Sequence, residues 1–304
     1  MQSDDRMKQD EAFKSGMIAI VGAPNAGKST LLNRLLGQKI SITSKKPQTT
    51  RNRILGILNQ PRAQLIFLDT PGVHRASGAL NQRIVAVALA ALVDCDAILM
   101  LADAAAAHSP DEDFLVEKLS ASARPKVLAL NKVDLLDKAQ LLRRIDQWSR
   151  RHAFEAIVPI SATLGTQVEA LIGALTKLMP SGPALYAPDS LTDLPERFIA
   201  AEMIREKVFR LTGEEIPYAA AVTVDSFSEE KEGRLVRILA TIHVERESQK
   251  GIVIGKQGGK LKQIGQAARA EIERMLGCQV FLKLFVRVQK NWTRDTKALQ
   301  RFGY

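Results

Sequence analysis

Eight residues constrain the fold more than any other part of the chain: Gly22-Ala23-Pro24-Asn25-Ala26-Gly27-Lys28-Ser29, set between an apolar run, Met17 to Val21, and a helix-like run, Thr30 to Leu36. The spacing GxxxxGK[ST] requires a strand, a tight loop and a helix in succession. Gly22 and Gly27 supply conformations and close approaches that a side chain would block, so the N–H groups of the loop can converge. A polyphosphate fits that convergence. Lys28 reaches its outer phosphates, the Ser29 hydroxyl is a ligand for Mg2+, and the helix that starts there adds the positive end of its dipole.

The base is read further along, where the apolar run Val127 to Leu130 ends in Asn131-Lys132-Val133-Asp134. This stretch looks like the guanine-reading NKxD box of GTPases. A carboxylate at Asp134 accepts the two protons that guanine presents along its ring-amide and amino edge, whereas adenine offers an acceptor and no matching donor there. The mismatch leaves polar groups unpaired and is costly. Lys132 is expected to lay its stem along the base, and Asn131 to brace the loops.

Between these stretches, Asp69-Thr70-Pro71-Gly72 ends the apolar strand Leu65 to Leu68. Asp69 is placed to hold Mg2+ through water, and the Gly72 N–H to approach the terminal phosphate. Gln48-Thr49-Thr50-Arg51 lies in a polar loop, Ser41 to Asn52, where either Thr49 or Thr50 completes the Mg2+ shell. Pro159-Ile160-Ser161-Ala162 resembles the fifth GTPase element, whose backbone N–H contacts the guanine carbonyl oxygen. Five elements in this order resemble the translation-factor-like GTPases. Catalysis is then expected from Lys28, Thr49, Thr50 and Gly72. Val73 departs from Ras-type GTPases, which carry a water-orienting glutamine there; valine neither donates nor accepts, so slow intrinsic hydrolysis is expected. Asn25 matches a position at which some related GTPases hold potassium, although a loop residue bonding its own backbone is an equal reading.

A length of 304 residues suits two domains, and 46% hydrophobic with 25% charged residues are globular values. Cys95 and Cys278 fit no metal or redox spacing. Met1 to Ser15 is polar and is expected to be a flexible leader, and the longest apolar run, Ile84 to Val93, is too short to span a bilayer. Charge is uneven. Of the net +10, Lys250 to Tyr304 carries +9, with 12 basic and 3 acidic residues, which points to a polyanionic partner at that end.

From Gly16 to Met179 short apolar runs alternate with amphipathic stretches, the pattern of an α/β fold with a mostly parallel sheet and helices on both faces. The strands at 53–59 and 64–69 are joined too tightly for a crossover and should be antiparallel. The domain is expected at 16–180. A semi-rigid linker, marked by Pro183, Pro188 and Pro195, follows at 181–195. Beyond it, Glu196 to Leu211 has the pattern of an amphipathic helix with Phe198, Ile199, Met203, Ile204 and Val208 on one side. Two strand-like runs lead to Gly255-Lys256-Gln257-Gly258, then a Lys-rich helix at 260–276 and a strand at 279–288. This order resembles a type II KH domain, an α+β fold, over 196–304. The glycines let the loop press on a nucleic-acid backbone, and Lys256, Lys260 and Lys262 meet phosphates. Trp292, Phe302 and Tyr304 among Arg294, Lys297 and Arg301 suit stacking on nucleotides, with a docked terminal helix as the competing reading.

A GTPase half of this type followed by a type II KH half resembles the Era family, the bacterial GTPases of small-subunit ribosome assembly. The strongest matches are GAPNAGKST, the QTTR stretch, DTPG, NKVD, the ISA turn and VIGKQGGKLKQIG. Departures are Ala23 and Ala26 in the phosphate loop and Val73, which the family also fills with an apolar residue. The resemblance implies GTP and GDP, Mg2+, and ribosomal RNA near the 3′ end of the small-subunit RNA. It implies a monomer acting on the 30S subunit in the cytoplasm, with peripheral contact to the inner membrane. An RNA-modifying GTPase, the alternative, should show a cofactor site or a catalytic cysteine, and Cys278 lies in a strand-like run without partners.

Overall fold

The structure, a computed structural model, describes residues 12–44, 49–72, 79–213, 216–230 and 232–302. The chain divides into two compact units whose boundary is crossed repeatedly. The first takes the residues up to Leu36, Leu55–Asp69 and Ala90–Asp193; the second takes Gly37–Ile54, Thr70–Leu89 and the residues from Leu194 on.

The first unit is built on strands β1 (Lys14–Gly22), β2 (Ile54–Gln60), β3 (Ala63–Asp69), β4 (Ala97–Asp103), β5 (Lys126–Asn131) and β6 (Ala156–Pro159), in the order β2-β3-β1-β4-β5-β6. The pairs β1–β3, β1–β4, β4–β5 and β5–β6 are parallel. Ile18 to Val21, Leu65 to Leu68, Ala97 to Ala102 and Val127 to Leu130 are buried without alternation, as strands covered on both faces must be. The two residues Pro61-Arg62 between β2 and β3 suffice only for an antiparallel pair. Helices α1 (Lys28–Leu36), α3 (Pro110–Ser120), α4 (Lys138–Arg151) and α5 (Val168–Leu178) complete this unit, while α2 (Ala79–Ala90) groups with the second. Capping boxes at Ser109 with Glu112, and at Asp137 with Gln140, start α3 and α4.

Two expectations about the ends of this unit change. β1 begins at Lys14, inside the stretch expected to be a leader, and Gly182 N–H donates to Phe13 O at 2.9 Å. The stretch expected to be a linker is instead a strap along β2 as far as Thr192. Ile57 N–H donates to Leu191 O at 2.8 Å, Thr192 Oγ1 to Leu55 O at 2.6 Å, and Asn59 Nδ2 to Pro188 O at 2.9 Å. The Gln64 side chain, wholly buried, holds Leu185 and Tyr186: its Oε1 accepts from both backbone N–H groups and its Nε2 donates to Tyr186 O. A sheet edge left open would be a template for foreign strands. The prolines suit this use, because a strap needs few donors of its own.

The second unit carries α6 (Glu196–Leu211), the short α7 (Ile216–Ala219), strands β7 (Ala221–Glu230) and β8 (Leu235–Val244), α8 (Glu247–Ile254), α9 (Gly259–Leu276), β9 (Gln279–Val288) and α10 (Thr296–Arg301). The sheet order is β7-β8-β9, with β7–β8 antiparallel and β8–β9 parallel. On β8, Val236, Ile238, Ala240, Ile242 and Val244 point into the core. The run Ile252 to Ile254 is the last turn of α8.

α6 is not the one-sided amphipathic helix its periodicity suggests. Eleven of its residues are buried, among them Glu202, Arg205, Glu206 and Lys207. The segment Gly37–Ile54 covers its polar side. Glu206 Oε2 accepts from Lys39 Nζ at 2.6 Å and Lys207 Nζ at 2.8 Å, and its Oε1 accepts from the Thr43 N–H at 2.9 Å. Arg205 is bidentate to Glu202 and also donates to Thr49 O. Arg51, also buried, donates to Ala220 O at 3.0 Å and lies 5.8 Å from the Phe209 ring and 5.9 Å from the Trp292 ring. Charges tolerate such burial only when paired and hydrogen-bonded.

Candidate functional site

The loop between β1 and α1 has the backbone its sequence calls for. Gly27 sits at φ 100°, and a Cβ there would come 2.2 Å from Asn131 Nδ2; one on Gly22 would come 2.5 Å from Leu101 O. Ala26 is buried, Asn25 is exposed in a left-handed conformation at φ 64°, and Ala23 and Pro24 are half-buried. Lys28 Nζ, buried, donates to Gly22 O and Ala23 O, each at 3.0 Å. Burial pulls its pKa down to about 8 against the opposing pull of Asp69. An anion in the loop would favour its charged form further.

Ser29 Oγ donates to Asp69 Oδ2 at 2.7 Å, and Asp69 is wholly buried. Two hard oxygen ligands side by side at the entrance of a helix fit Mg2+. Thr70 and Pro71 are buried, Gly72 is half-buried, and these three belong to the second unit while Asp69 belongs to the first. Thr49 and Thr50 also lie in the second unit, Thr50 buried and the Thr49 carbonyl taken by Arg205. Val73 and Gln48 lie outside the described residues.

At the base-reading end Asn131 joins two loops: its Nδ2 donates to Ala26 O at 2.8 Å and its Oδ1 accepts from Ala162 N–H at 2.9 Å. Lys132 takes a left-handed conformation, φ 67°, and its Nζ meets Asp103 Oδ2 at 2.5 Å. Asp134, exposed, sits in the single turn Val133–Leu135, which Val133 N–H anchors to Ile160 O at 3.2 Å. Ser161 is buried, and its Oγ accepts from Leu164 N–H at 3.2 Å. Two contributors have no counterpart in the motif reading. Arg34, on α1, donates from Nε to Ala162 O at 3.2 Å and from Nη2 to Thr163 O. Asp103, at the end of β4, holds Lys132. The only sequence signal for either is its position at the carboxyl end of an element.

The second constellation lies between α8 and α9. Gly255 has φ 71° and ψ 177°, Gln257 φ 51° and Gly258 φ 75°. A Cβ on Gly255 would come 2.5 Å from Lys260 Cβ, whereas one on Gly258 meets nothing within 4 Å. The loop thus closes on α9 at its first glycine and opens to solvent at its last. Lys256, Gln257 and Lys262 are exposed and Lys260 half-buried. Arg294 is exposed as well. Trp292 corrects the stacking expectation. It is wholly buried with Ala221, Leu299 and Phe302, and its Nε1 donates to Ala219 O at 2.9 Å. Trp292 and Phe302 pack α10 against Ala221, whose small side chain leaves room for the indole, and Tyr304 lies outside the described residues. Among the described residues, no helix is long and apolar enough to cross a membrane.

These sites have close counterparts in known proteins. Residues 17–132 match the family of 50S ribosome-binding GTPases, and residues 215–293 the KH domain. The GTPase Era proteins of Geobacter metallireducens and Geotalea uraniireducens are each 54% identical over 295 residues, covering 97% of this chain and 99% of theirs. Among solved structures, an Aquifex aeolicus Era variant bound to GDP and AlF4− matches with TM-score 0.92 and 40% identity, covering 96% of this chain and 99% of its own. An Era in complex with MgGDPNP and nucleotides 1506–1542 of 16S ribosomal RNA matches with TM-score 0.93, the same identity and the same coverage. With both constellations in the expected order on matching folds, and relatives this similar over nearly their whole length, the chain belongs to the Era family of GTPases.

Proposed function

We propose that this chain binds GTP with Mg2+ at the loop 22–29, hydrolyses it slowly, and binds small-subunit ribosomal RNA through the loop 255–258, with the nucleotide gating RNA binding during 30S assembly in the cytoplasm. The observation that carries the gating is where two segments fold. Gly37–Ile54, with Thr49 and Thr50, and Thr70–Leu89, which starts inside the Asp69 to Gly72 motif, group with the unit that holds the RNA loop. A nucleotide that recruits a threonine hydroxyl or the Gly72 N–H must therefore act on segments whose packing belongs to the RNA-binding half.

For hydrolysis, Lys28 supplies charge at the outer phosphates, Ser29 and Asp69 hold the Mg2+ that offsets phosphate charge, and Asp134, Lys132 and the Ala162 N–H orient the base. Val73 offers a water no partner, which supports a slow intrinsic rate. Asn25, exposed in the loop, is the residue to hold potassium. The test is phosphate release from GTP by the purified chain with Mg2+, in potassium or in sodium, alongside crosslinking to small-subunit RNA with GDP or a non-hydrolysable GTP analogue. Hydrolysis that persists in Lys28→Ala, or RNA crosslinks indifferent to the nucleotide, would overturn the respective half of this reading.

A further inference from the structure

The sheet β7-β8-β9 has two faces, and the GxxG loop and the helices account for one. The other presents alternate residues of β9, Gln279, Phe281, Lys283, Phe285 and Arg287, all exposed. Phe281 is 44% exposed and Phe285 43%. Across the strand pair, Arg237 stands opposite Phe281 with its guanidinium 4.6 Å from the ring centroid, and Lys283 Nζ lies 5.2 Å from the Phe285 ring. One end of this face is closed by α10, where Phe302 lies 4.4 Å from the His243 ring; Phe281 and Phe285 lie beyond it.

We propose that this open face is a second surface for single-stranded RNA, on which Phe281 and Phe285 stack bases while Lys283 and Arg287 meet phosphates. The proposal rests on the RNA-binding reading above and extends it to a surface outside the GxxG loop. Three features favour RNA over a protein partner. β9 carries two cations and no acid between Gln279 and Val288, whereas a sheet face built to bury against protein would be depleted of charge at its centre. Of the acids that border this face, Glu230 is paired with Arg237 at 2.7 Å, Glu247 lies 3.8 Å from Lys250, and Asp225 accepts from Thr241 Oγ1 at 2.6 Å and keeps its charge, so Lys283 and Arg287 together outweigh Asp225. A hollow of about 600 Å³ then runs from Phe285 and Arg287 around the edge of β9 to Glu247 and Lys250 of α8, the helix that leads into the GxxG loop. One strand of RNA can follow it from loop to face.

The spacing selects the form of RNA. Phe281 and Phe285, four residues apart on one strand, stand about 13 Å apart, far more than the ~3.4 Å between stacked neighbours in a duplex. The bases must be splayed, with Lys283 between them at backbone level, as on other sheet platforms for single strands.

The test compares an unstructured tetranucleotide, the length a KH loop clamps, with a dodecanucleotide on the full chain, wild type and Phe281→Ser/Phe285→Ser. The double variant should bind the tetranucleotide as wild type does and lose at least about thirtyfold for the dodecanucleotide, two stacks at the low end of their usual worth. Phe281→Tyr/Phe285→Tyr should restore it. Photocrosslinking of the dodecanucleotide to the wild-type chain should reach Phe281 or Phe285, and it keeps the test open should the serine variant misfold. Wild-type affinity in the serine variant, crosslinks confined to 255–262, or a wild-type dimer that the serine pair dissolves would overturn this surface alone. Failure of the wild-type chain to bind any RNA would overturn the RNA-binding reading with it.

Discussion

Asn131 shows how one side chain turns separate motifs into a site. With its Nδ2 on Ala26 O and its Oδ1 on Ala162 N–H, it ties together two loops far apart in sequence. The NKxD spacing already marked this residue as a brace, and Gly27 explains why no side chain fits between them. Arg34 and Asp103 were not legible, because a long side chain reaching 128 residues along the chain, or a carboxylate capturing a motif lysine, leaves no periodic trace. Trp292 was legible only as an aromatic among bases; whether it faces water depends on the small Ala221 beside it, which is distant in sequence. The sharpest expectation at this scale concerns Asp134. In Asp134→Asn an amide would meet guanine's donors with a donor of its own, so GTP affinity should fall by at least about tenfold and xanthosine triphosphate should bind better than GTP. Competition of the two nucleotides against a fluorescent GDP in wild type and variant decides it, and unchanged GTP affinity would remove Asp134 from the base site.

Among the elements, the parallel sheet was legible because strands buried on both faces carry unbroken apolar runs, and the phosphate loop fixed where the first of them ends. α6 was not, because periodicity records only which side is apolar. Its polar side is dry for a tertiary reason: Lys39, Thr43 and Lys207 converge on Glu206. Burial alone would raise the Glu206 pKa, but the hydrogen bonds from Lys207, Lys39 and the Thr43 N–H outweigh it and hold the carboxyl at about 2, below its ordinary 4.5. A carboxylate depressed on folding stabilises the fold fully above about 4.5, and that share fades as pH falls toward 2. Glu206→Gln should cost about 2 kcal/mol at neutral pH, since it removes charge-assisted hydrogen bonds while Lys39 and Lys207 keep Glu271 as a partner. It should also flatten the loss of stability between those two pH values. Chemical denaturation of wild type and variant across this range measures both, and parallel curves would show that the ion cluster does not set the acid sensitivity. The strap on β2 was read as a linker for a related reason, since proline content predicts stiffness and says nothing about which sheet edge the chain will follow.

At the scale of the whole molecule, the comparisons support both halves, and the net positive charge falls on the half that matches the KH domain. The order in which the chain builds its units was not legible, because motif spacing is linear and the division is not: Gly37–Ile54 and Thr70–Leu89 leave the first unit and return to it. If those segments carry the coupling, a non-hydrolysable GTP analogue should tighten RNA binding relative to GDP by about five- to a hundredfold, the usual span of such couplings, and RNA must tighten the analogue by the same factor. Calorimetry in both directions checks the equality; equal RNA affinity in every nucleotide state would leave two independent binders on one chain. The same interleaving bears on dissection of the protein at the gene. A fragment ending at residue 193 keeps Ile40, Ile42 and Arg51, all buried in the intact chain, yet loses the Phe209 and Trp292 rings beside Arg51 and the α6 side chains that hold Lys39, Thr43 and Thr49. Such a fragment is a torn edge with exposed apolar surface, prone to self-association, and its natural remedy is the missing piece. Co-expressed as two polypeptides cut after residue 193, the halves should find each other and behave as a split protein, where tandem domains cut at a true linker would drift apart.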